Sequence, residues 1–261
     1  MLGQPIAVSD IDDPRLGDYR NLKERHLNAT TGRFVAESER VVRRLLASNL
    51  RVHSVLATPA RLAALADESA APAQVFVAEQ SVLDGIAGFH VHRGCLAIGE
   101  RPAAQPIPAD AHTVVVLEDL VDVDNLGAIA RNAAAFGAGA LLLSPRCADP
   151  FYRKAIRVSL GAVFTLPIVR LARWPDDLAT VRHAGFSLVA ATLHDATPLP
   201  AFTRPAKVAL VLGSEGPGLS DAALRLCDHR VVIPMSPGAD SLNVATAGAV
   251  CLYHLTRAPS L

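Results

Sequence analysis

Thr113–Leu143 reads TVVVLEDLVDVDNLGAIARNAAAFGAGALLL. Thr113–Leu117 is an unbroken apolar, β-branched run with no polar alternation, the pattern of a strand covered on both faces. A helix is predicted over 125–136. GAGA at 137–140 then reads as a helix C-cap and tight turn, and Ala140–Leu143 as a second continuous apolar strand. Strand, helix and strand in this order predict a parallel crossover. The alternation continues downstream, with strands predicted at 187–191, 208–212 and 230–233 and helices at 150–159, 175–184, 220–227 and 241–256. The fold class expected is therefore α/β, with a parallel sheet over 113–261.

Upstream, GERPAAQPIPADAH (99–112) holds three prolines and little apolar periodicity, as a semi-rigid linker does. Residues 1–98 read as a smaller α/β unit. In ESERVVRRLLAS (37–48), Val41, Val42, Leu45 and Leu46 share one helical face, with Arg40, Arg43 and Arg44 largely opposite. Strands are predicted at 52–57, 75–78 and 95–98, and helices at 59–66 (proline in its first turn) and 81–87.

Of the 261 residues, 51% are apolar and 19% charged, which permits a sizeable core and excludes a disordered chain. No apolar run is long enough to span a bilayer. The opening MLGQPIAVSDIDD lacks the basic-then-apolar pattern of a signal peptide. Cys95, Cys147, Cys227 and Cys251 stand apart without a CxxC pair, against a zinc site or a secreted disulfide framework. The expectation is a cytoplasmic protein with no metal. Formal net charge is zero, but its distribution is uneven. Arg15 to Arg61 holds ten Lys or Arg against four Asp or Glu, an excess of six, and Arg146 to Arg173 holds six against one. Such stretches suit phosphate-backbone binding, although solvated helix faces look the same.

The common nucleotide and nucleophile motifs are missing. The turn after the first strand has one glycine and no GxGxxG. GSEGPGLS (213–220) lacks the P-loop lysine and is not a GxSxG elbow. His90 and His92 form a pair better read as structural than as ligands. Three polar segments remain, each at the C-terminal end of a predicted strand, where open α/β sheets bind ligands. DNLGAIARNAAAFG (124–137) carries Asn125, placed to cap its helix, and Arg131, a lone charge on an otherwise apolar face that needs a partner. LVLGSEGPGLS (210–220) places Glu215 in a loop whose glycines allow close backbone approach. IPMSPGADSLNVATAGAV (233–250) carries Ser241 and Asn243 before a small-residue helix. Any one of them alone reads as structural punctuation before it reads as a site.

Together and in this order they resemble the three signature motifs of the SpoU/TrmH family of RNA 2′-O-ribose methyltransferases, within the SPOUT superfamily. The matching pieces are N-L-G-A-I-A-R-N-A, L-G-S-E-G-P-G-L-S, I-P-M and S-L-N-V, with RKAIRVSLGAVFTLPI (153–168) between the first two. FVAESERVVRRLL and HRGCLAIG resemble, less closely, the substrate-binding domain that precedes the catalytic domain in rRNA-modifying members. Pro237 departs from the commoner third motif, where glycine stands, and so do Ala245-Thr246-Ala247; in the first motif Val123 stands where proline is frequent.

The resemblance implies a SPOUT domain over 113–261 with a C-terminal trefoil knot, and an RNA-binding α/β domain over 1–98. It implies S-adenosyl-L-methionine as cofactor, lined by Gly213, Ile233, Met235, Leu242 and Asn243. Arg131 is then the catalytic arginine; because guanidinium stays charged, its work is to fix a phosphate and stabilise a developing alkoxide. Asn125 and Asn243 orient ribose and cofactor, Glu215 holds its loop or pairs with Arg131, and Ser241 completes the set. The partner is RNA, ribosomal before transfer RNA given the added domain, and the protein is a homodimer. A non-catalytic RNA-binding homologue of the same fold is the alternative; an unrelated α/β nucleotide enzyme leaves the third segment unexplained.

Overall fold

The computed structural model describes residues 3–20, 31–65, 67, 72–91, 94–238 and 240–256. His92, Lys23, Arg25 and the end of the helix predicted at 59–66 lie outside the described residues. The chain forms two units, Met1–Ala103 with Phe151–Thr165, and Ala104–Pro150 with Leu166–Leu261.

The first unit is built on β1 (Ile6–Ala7), β2 (Arg33–Glu37), β3 (Val52–Ala57), β4 (Gln74–Val77) and β5 (Cys95–Glu100). The sheet order is β1-β4-β3-β5-β2, with β5 antiparallel to both neighbours and the remaining pairs parallel. Helices α1 (Glu39–Leu46), α2 (Pro59–Ala64) and α3 (Gln80–Ala87) join them. As the periodicity required, α1 buries Val41, Val42, Leu45 and Leu46. One core cluster gathers Leu16, Tyr19, Leu56, Phe76, Leu83 and Leu96. The Tyr19 hydroxyl, buried there, meets Ser54 Oγ at 2.9 Å, so the polar atom is not left unsatisfied.

Two boundaries need correction. β5 runs to Glu100, and Arg101 N–H donates to the Gly32 carbonyl (2.9 Å), so the smaller unit continues into the stretch read as linker. The helix predicted at 150–159, here α5 (Arg153–Val158), belongs to the first unit and not to the second. The cause is aromatic. The Phe34 ring lies 5.2 Å from Phe151 and 5.4 Å from Phe164, and Gly99 clears space for it, since a Cβ there would be 2.3 Å from Phe34 Cζ. Burying three phenylalanine rings outweighs continuity along the chain.

The second unit has a seven-stranded sheet in the order β10-β12-β9-β11-β6-β7-β8, parallel throughout. Its strands are β6 (Thr113–Leu117), β7 (Ala140–Leu143), β8 (Ile168–Arg170), β9 (Ser187–Ala191), β10 (Thr197–Pro198), β11 (Val208–Leu212) and β12 (His229–Val232). Every residue of β6, β7 and β11 is buried, as continuous apolar runs demand. Helices α4 (Val123–Ala135), α6 (Leu178–His183), α7 (Asp221–Leu226) and α8 (Val244–Thr256) cover the sheet. α8 lies close to β11 and α4 because Gly248 offers no side chain; a Cβ there would sit 2.9 Å from Leu212 Cδ1 and 3.9 Å from Ile129 Cγ1. β11 is inserted between β6 and β9, while β12 returns to the far side of β9.

Candidate active site

The first turn of α4 begins at Asp122, whose carboxylate accepts from the N–H groups of Asp124 (2.7 Å) and Asn125 (3.1 Å). Asp122 is therefore the cap, and the capping role considered for Asn125 is corrected: a carboxylate three residues earlier already satisfies those donors. The Asn125 side chain is left to act elsewhere.

After β11 the chain turns back on itself. Ser214 and Gly218 exchange backbone hydrogen bonds of 3.2 and 3.1 Å, with Gly216 and Gly218 at φ of 92° and 71°. A Cβ on Gly213 would lie 2.2 Å from the Gly218 carbonyl carbon. Only glycine fits at 213, and the loop can present bare backbone to a ligand. The third segment ends in Asn243, whose Oδ1 accepts from the N–H groups of Ala245 (2.9 Å) and Thr246 (3.2 Å) and so caps α8.

These segments, distant in sequence, meet in one chain of hydrogen bonds. Asn243 Nδ2 donates to Asn125 Oδ1 at 2.9 Å, and Asn125 Nδ2 donates to the Glu215 carboxylate. The direction of every link is fixed. An ionised carboxylate only accepts, so Asn125 must turn its amide N–H toward it and its oxygen toward Asn243; Asn243 must then offer its own oxygen to the α8 amides. The Glu215 carboxyl is itself raised from its ordinary pKa, by desolvation first and by the Asp122 carboxylate second.

Beside this chain lies a cavity of 520 Å³ at the C-terminal ends of β9, β11 and β12. Gly213, Ile233, Met235, Leu242 and Asn243 line it, as do Glu215 and Ser241. Met235 keeps this place even though Gly238, with φ of 91°, follows Pro237 in a turn. Asn125 joins through its hydrogen bonds. Arg131 does not line the cavity. It is exposed on α4, whose buried face is Leu126, Ile129, Ala130 and Ala133; six residues on from Asn125 is about 120° around the helix. The expectations that Arg131 lies on an apolar face and pairs with Glu215 are corrected accordingly, because Glu215 is engaged by Asn125.

A model of the SpoU rRNA methylase family matches residues 112–253. The chain belongs to this family. An uncharacterized tRNA/rRNA methyltransferase of Mycobacterium bovis is 45% identical, over 96% of this chain and 91% of its own length. The 23S rRNA guanosine 2′-O-methyltransferase RlmP of Bacillus subtilis is 26% identical, over 95% of this chain and 98% of its own. The crystal structure of an S-adenosylmethionine-bound rRNA methyltransferase from Sinorhizobium meliloti superposes with a TM-score of 0.82 at 27% identity, covering 97% of this chain and 98% of that one.

Three features of this SpoU-family site escape the sequence reading. Leu193 and His194, just past β9, line the cavity, and Asp221 does so from the start of α7; the loop after β9 shows no glycine or motif to draw notice. Glu118, 3% exposed at the end of β6, accepts from Trp174 Nε1 (2.6 Å) and from Ser220 N–H (2.8 Å). It thereby anchors the far end of the glycine loop. Its signal was a carboxylate placed directly after a fully apolar strand, since such a group is buried only with partners.

Proposed function

We propose that this RNA methyltransferase moves the methyl group of S-adenosyl-L-methionine to a ribose 2′-hydroxyl, in ribosomal rather than transfer RNA. The observation that carries the reading is the Glu215–Asn125–Asn243 chain, which ties the three motif segments together at the rim of one cavity. Ribose 2′-O specificity and ribosomal RNA are further supported by the RlmP relative.

The cofactor fits the residues present. A cavity of 520 Å³ suits a ligand of this size. Ile233, Met235 and Leu242 supply apolar surface, the Gly213 loop supplies backbone donors and acceptors for a base edge, and the carboxylates of Glu215 and Asp221 favour cationic groups. When bound, the cofactor supplies an already activated methyl on a sulfonium centre. The protein's work is alignment and handling of the hydroxyl proton. Asn243 and Asn125 hold the cavity rim and orient what enters it. Arg131, permanently charged, fixes the phosphate beside the reacting ribose and steadies the developing alkoxide.

The same reading includes a trefoil knot, a cytoplasmic setting, and a homodimer closed over α4 and α8; the knot is compatible with a strand order in which β11 lies between β6 and β9. The test is transfer of radiolabel from S-adenosylmethionine to total RNA of a strain lacking the gene, followed by size fractionation and nucleoside analysis. Label in a 2′-O-methylnucleoside of one ribosomal RNA is expected. Label in tRNA overturns the substrate, and binding of the cofactor with no label in any RNA favours the non-catalytic homologue.

A further inference from the structure

Part of each basic stretch lies in the first unit, where α1 meets the turn that follows α5. Arg44 Nη1 donates to the Leu160 carbonyl at 2.8 Å across 116 residues of sequence, and Leu160 N–H in turn donates to the Arg157 carbonyl at 3.0 Å. Arg40 lies one helical turn before Arg44, on the same side of α1. The close approach needs Gly161, whose φ is 79° and whose Cβ would fall 2.9 Å from the Phe164 ring and 3.5 Å from Arg44 Cβ.

The charges around this face do not cancel. In the first unit Asp13 pairs with Arg15, Asp18 with Arg33, Glu37 with Arg153, Glu39 with both Arg43 and Arg61, and Glu100 with Arg51. Arg40, Arg44 and Arg157 are exposed, and no carboxylate pairs with any of them among the described residues. Like charges one turn apart destabilise a helix. Arg40 and Arg44 are such a pair, and with the exposed Arg157 of α5, whose carbonyl holds the Leu160 turn that Arg44 grips, they leave unpaired positive charge that a polyanion relieves. Guanidinium suits it, since its planar fork binds phosphate oxygens in pairs.

We propose that Arg40, Arg44 and Arg157 form a docking face for the phosphodiester backbone of the RNA substrate. The inference rests on the RNA methyltransferase reading above, and makes α5, although it lies between strands of the second unit in sequence, part of the substrate-binding surface. Binding of a labelled single-stranded RNA across a salt series tests it, with the triple variant Arg40→Gln, Arg44→Gln, Arg157→Gln compared with wild type, with the corresponding triple lysine variant and with Arg51→Gln, whose arginine is already paired. The glutamine triple is expected to bind RNA at least about tenfold more weakly, with its log–log salt slope reduced by roughly 2. Methylation should show raised KM at nearly unchanged kcat, S-adenosylmethionine binding should stay as in wild type, and the lysine triple should retain most of the RNA affinity. Wild-type RNA affinity and salt slope in the glutamine triple, alongside wild-type methylation of RNA, overturn the docking face and leave the reaction standing. A wild-type protein that binds the cofactor but neither binds nor methylates RNA overturns the reaction, and this face with it. Preference of the face for anionic vesicles or polyglutamate over RNA also overturns it.

Discussion

Replacing Gly213 by alanine puts a methyl carbon 2.2 Å from the Gly218 carbonyl carbon, an approach that backbone cannot absorb without moving. The loop must open, and the cavity it walls loses its shape. Gly213→Ala is expected to weaken S-adenosylmethionine binding by at least about tenfold, on the order of 1.4 kcal/mol, in calorimetric titration. Wild-type affinity would remove the glycine loop from the cofactor site. Asn125 permits a second test. Alanine there leaves Asn243 Nδ2 and the Glu215 carboxylate without their shared partner. At a solvent-accessible position about 1 kcal/mol follows, seen as a several-fold loss in kcat/KM with little change in Tm. Asn125→Asp should be worse, because it sets a carboxylate against Glu215, which Asp122 already crowds. At this scale the sequence named residues of the site but not their pairing: it offered Arg131 to Glu215, where Asn125 stands. Asn125, Glu215 and Asn243 were recognisable from their motifs. That Asp122 takes the cap and frees Asn125 depends on which of two neighbouring side chains reaches the amides, and residue type does not decide that.

At the scale of elements, the strands of the second unit were legible nearly to the residue, since a strand buried on both faces writes itself as an uninterrupted apolar run. β8 and β10 were not, being short edge strands without such a run. β2 was not predicted, and its last residue, Glu37, was taken into the helix read over 37–48, for Ser38, at a φ of 84°, breaks RFVAE from α1 with no proline or glycine to mark the break. The affiliation of α5 was illegible for another reason: it is decided by what Phe34 needs to stack on, not by anything local to 153–158. Two elements carry predictions. Asp119, just past β6, is bound by Arg146 and by Ser144 Oγ (2.8 Å), and the Arg146 hydrogen bond first, then Ser144, hold its pKa below the ordinary carboxylate value against partial burial. A depressed folded pKa stabilises above the unfolded value and ceases to as pH falls through the folded one. Asp119→Asn should therefore lower Tm at neutral pH, with the gap to wild type closing at pH values roughly below 4; a gap independent of pH would contradict the ion pair. In α8, Gly248→Ala must push aside the Leu212 Cδ1 methyl, 2.9 Å away at the far end of its side chain, and the gain of about 1 kcal/mol in helix propensity offsets that shift and should leave Tm near wild type. Gly248→Val has no such room and should cost about 1–3 kcal/mol by denaturant unfolding.

For the molecule as a whole, the position of Arg131 sets a constraint on how the reaction is assembled. It is exposed, outside the chain's own cavity, on the same helix whose end carries Phe136. Phe136 meets Tyr253 of α8 edge-to-face at 6.1 Å, while Tyr253 remains 53% exposed and Val250 39%. An aromatic pair with exposed apolar neighbours on two adjacent helices is the kind of surface that a second copy covers. If the proposed dimer is two-fold, the same surface packs on itself, and the exposed Arg131 can serve the other chain's cavity. If that is how Arg131 reaches a reacting ribose, each active site takes its cavity from one chain and its arginine from the other. Arg131→Ala and Gly213→Val would then be inactive singly for different reasons, and complementary. Co-refolded in equal amounts, half of the dimers would pair one chain of each kind and hold one intact composite site of two, restoring about a quarter of wild-type activity. Arg131→Ala alone should retain S-adenosylmethionine binding, and Tyr253→Asp should shift the sedimentation profile toward monomer and abolish the complementation. Mixtures that stay inactive while mixed dimers demonstrably form would place Arg131 in the service of its own chain's cavity, reached through bound RNA.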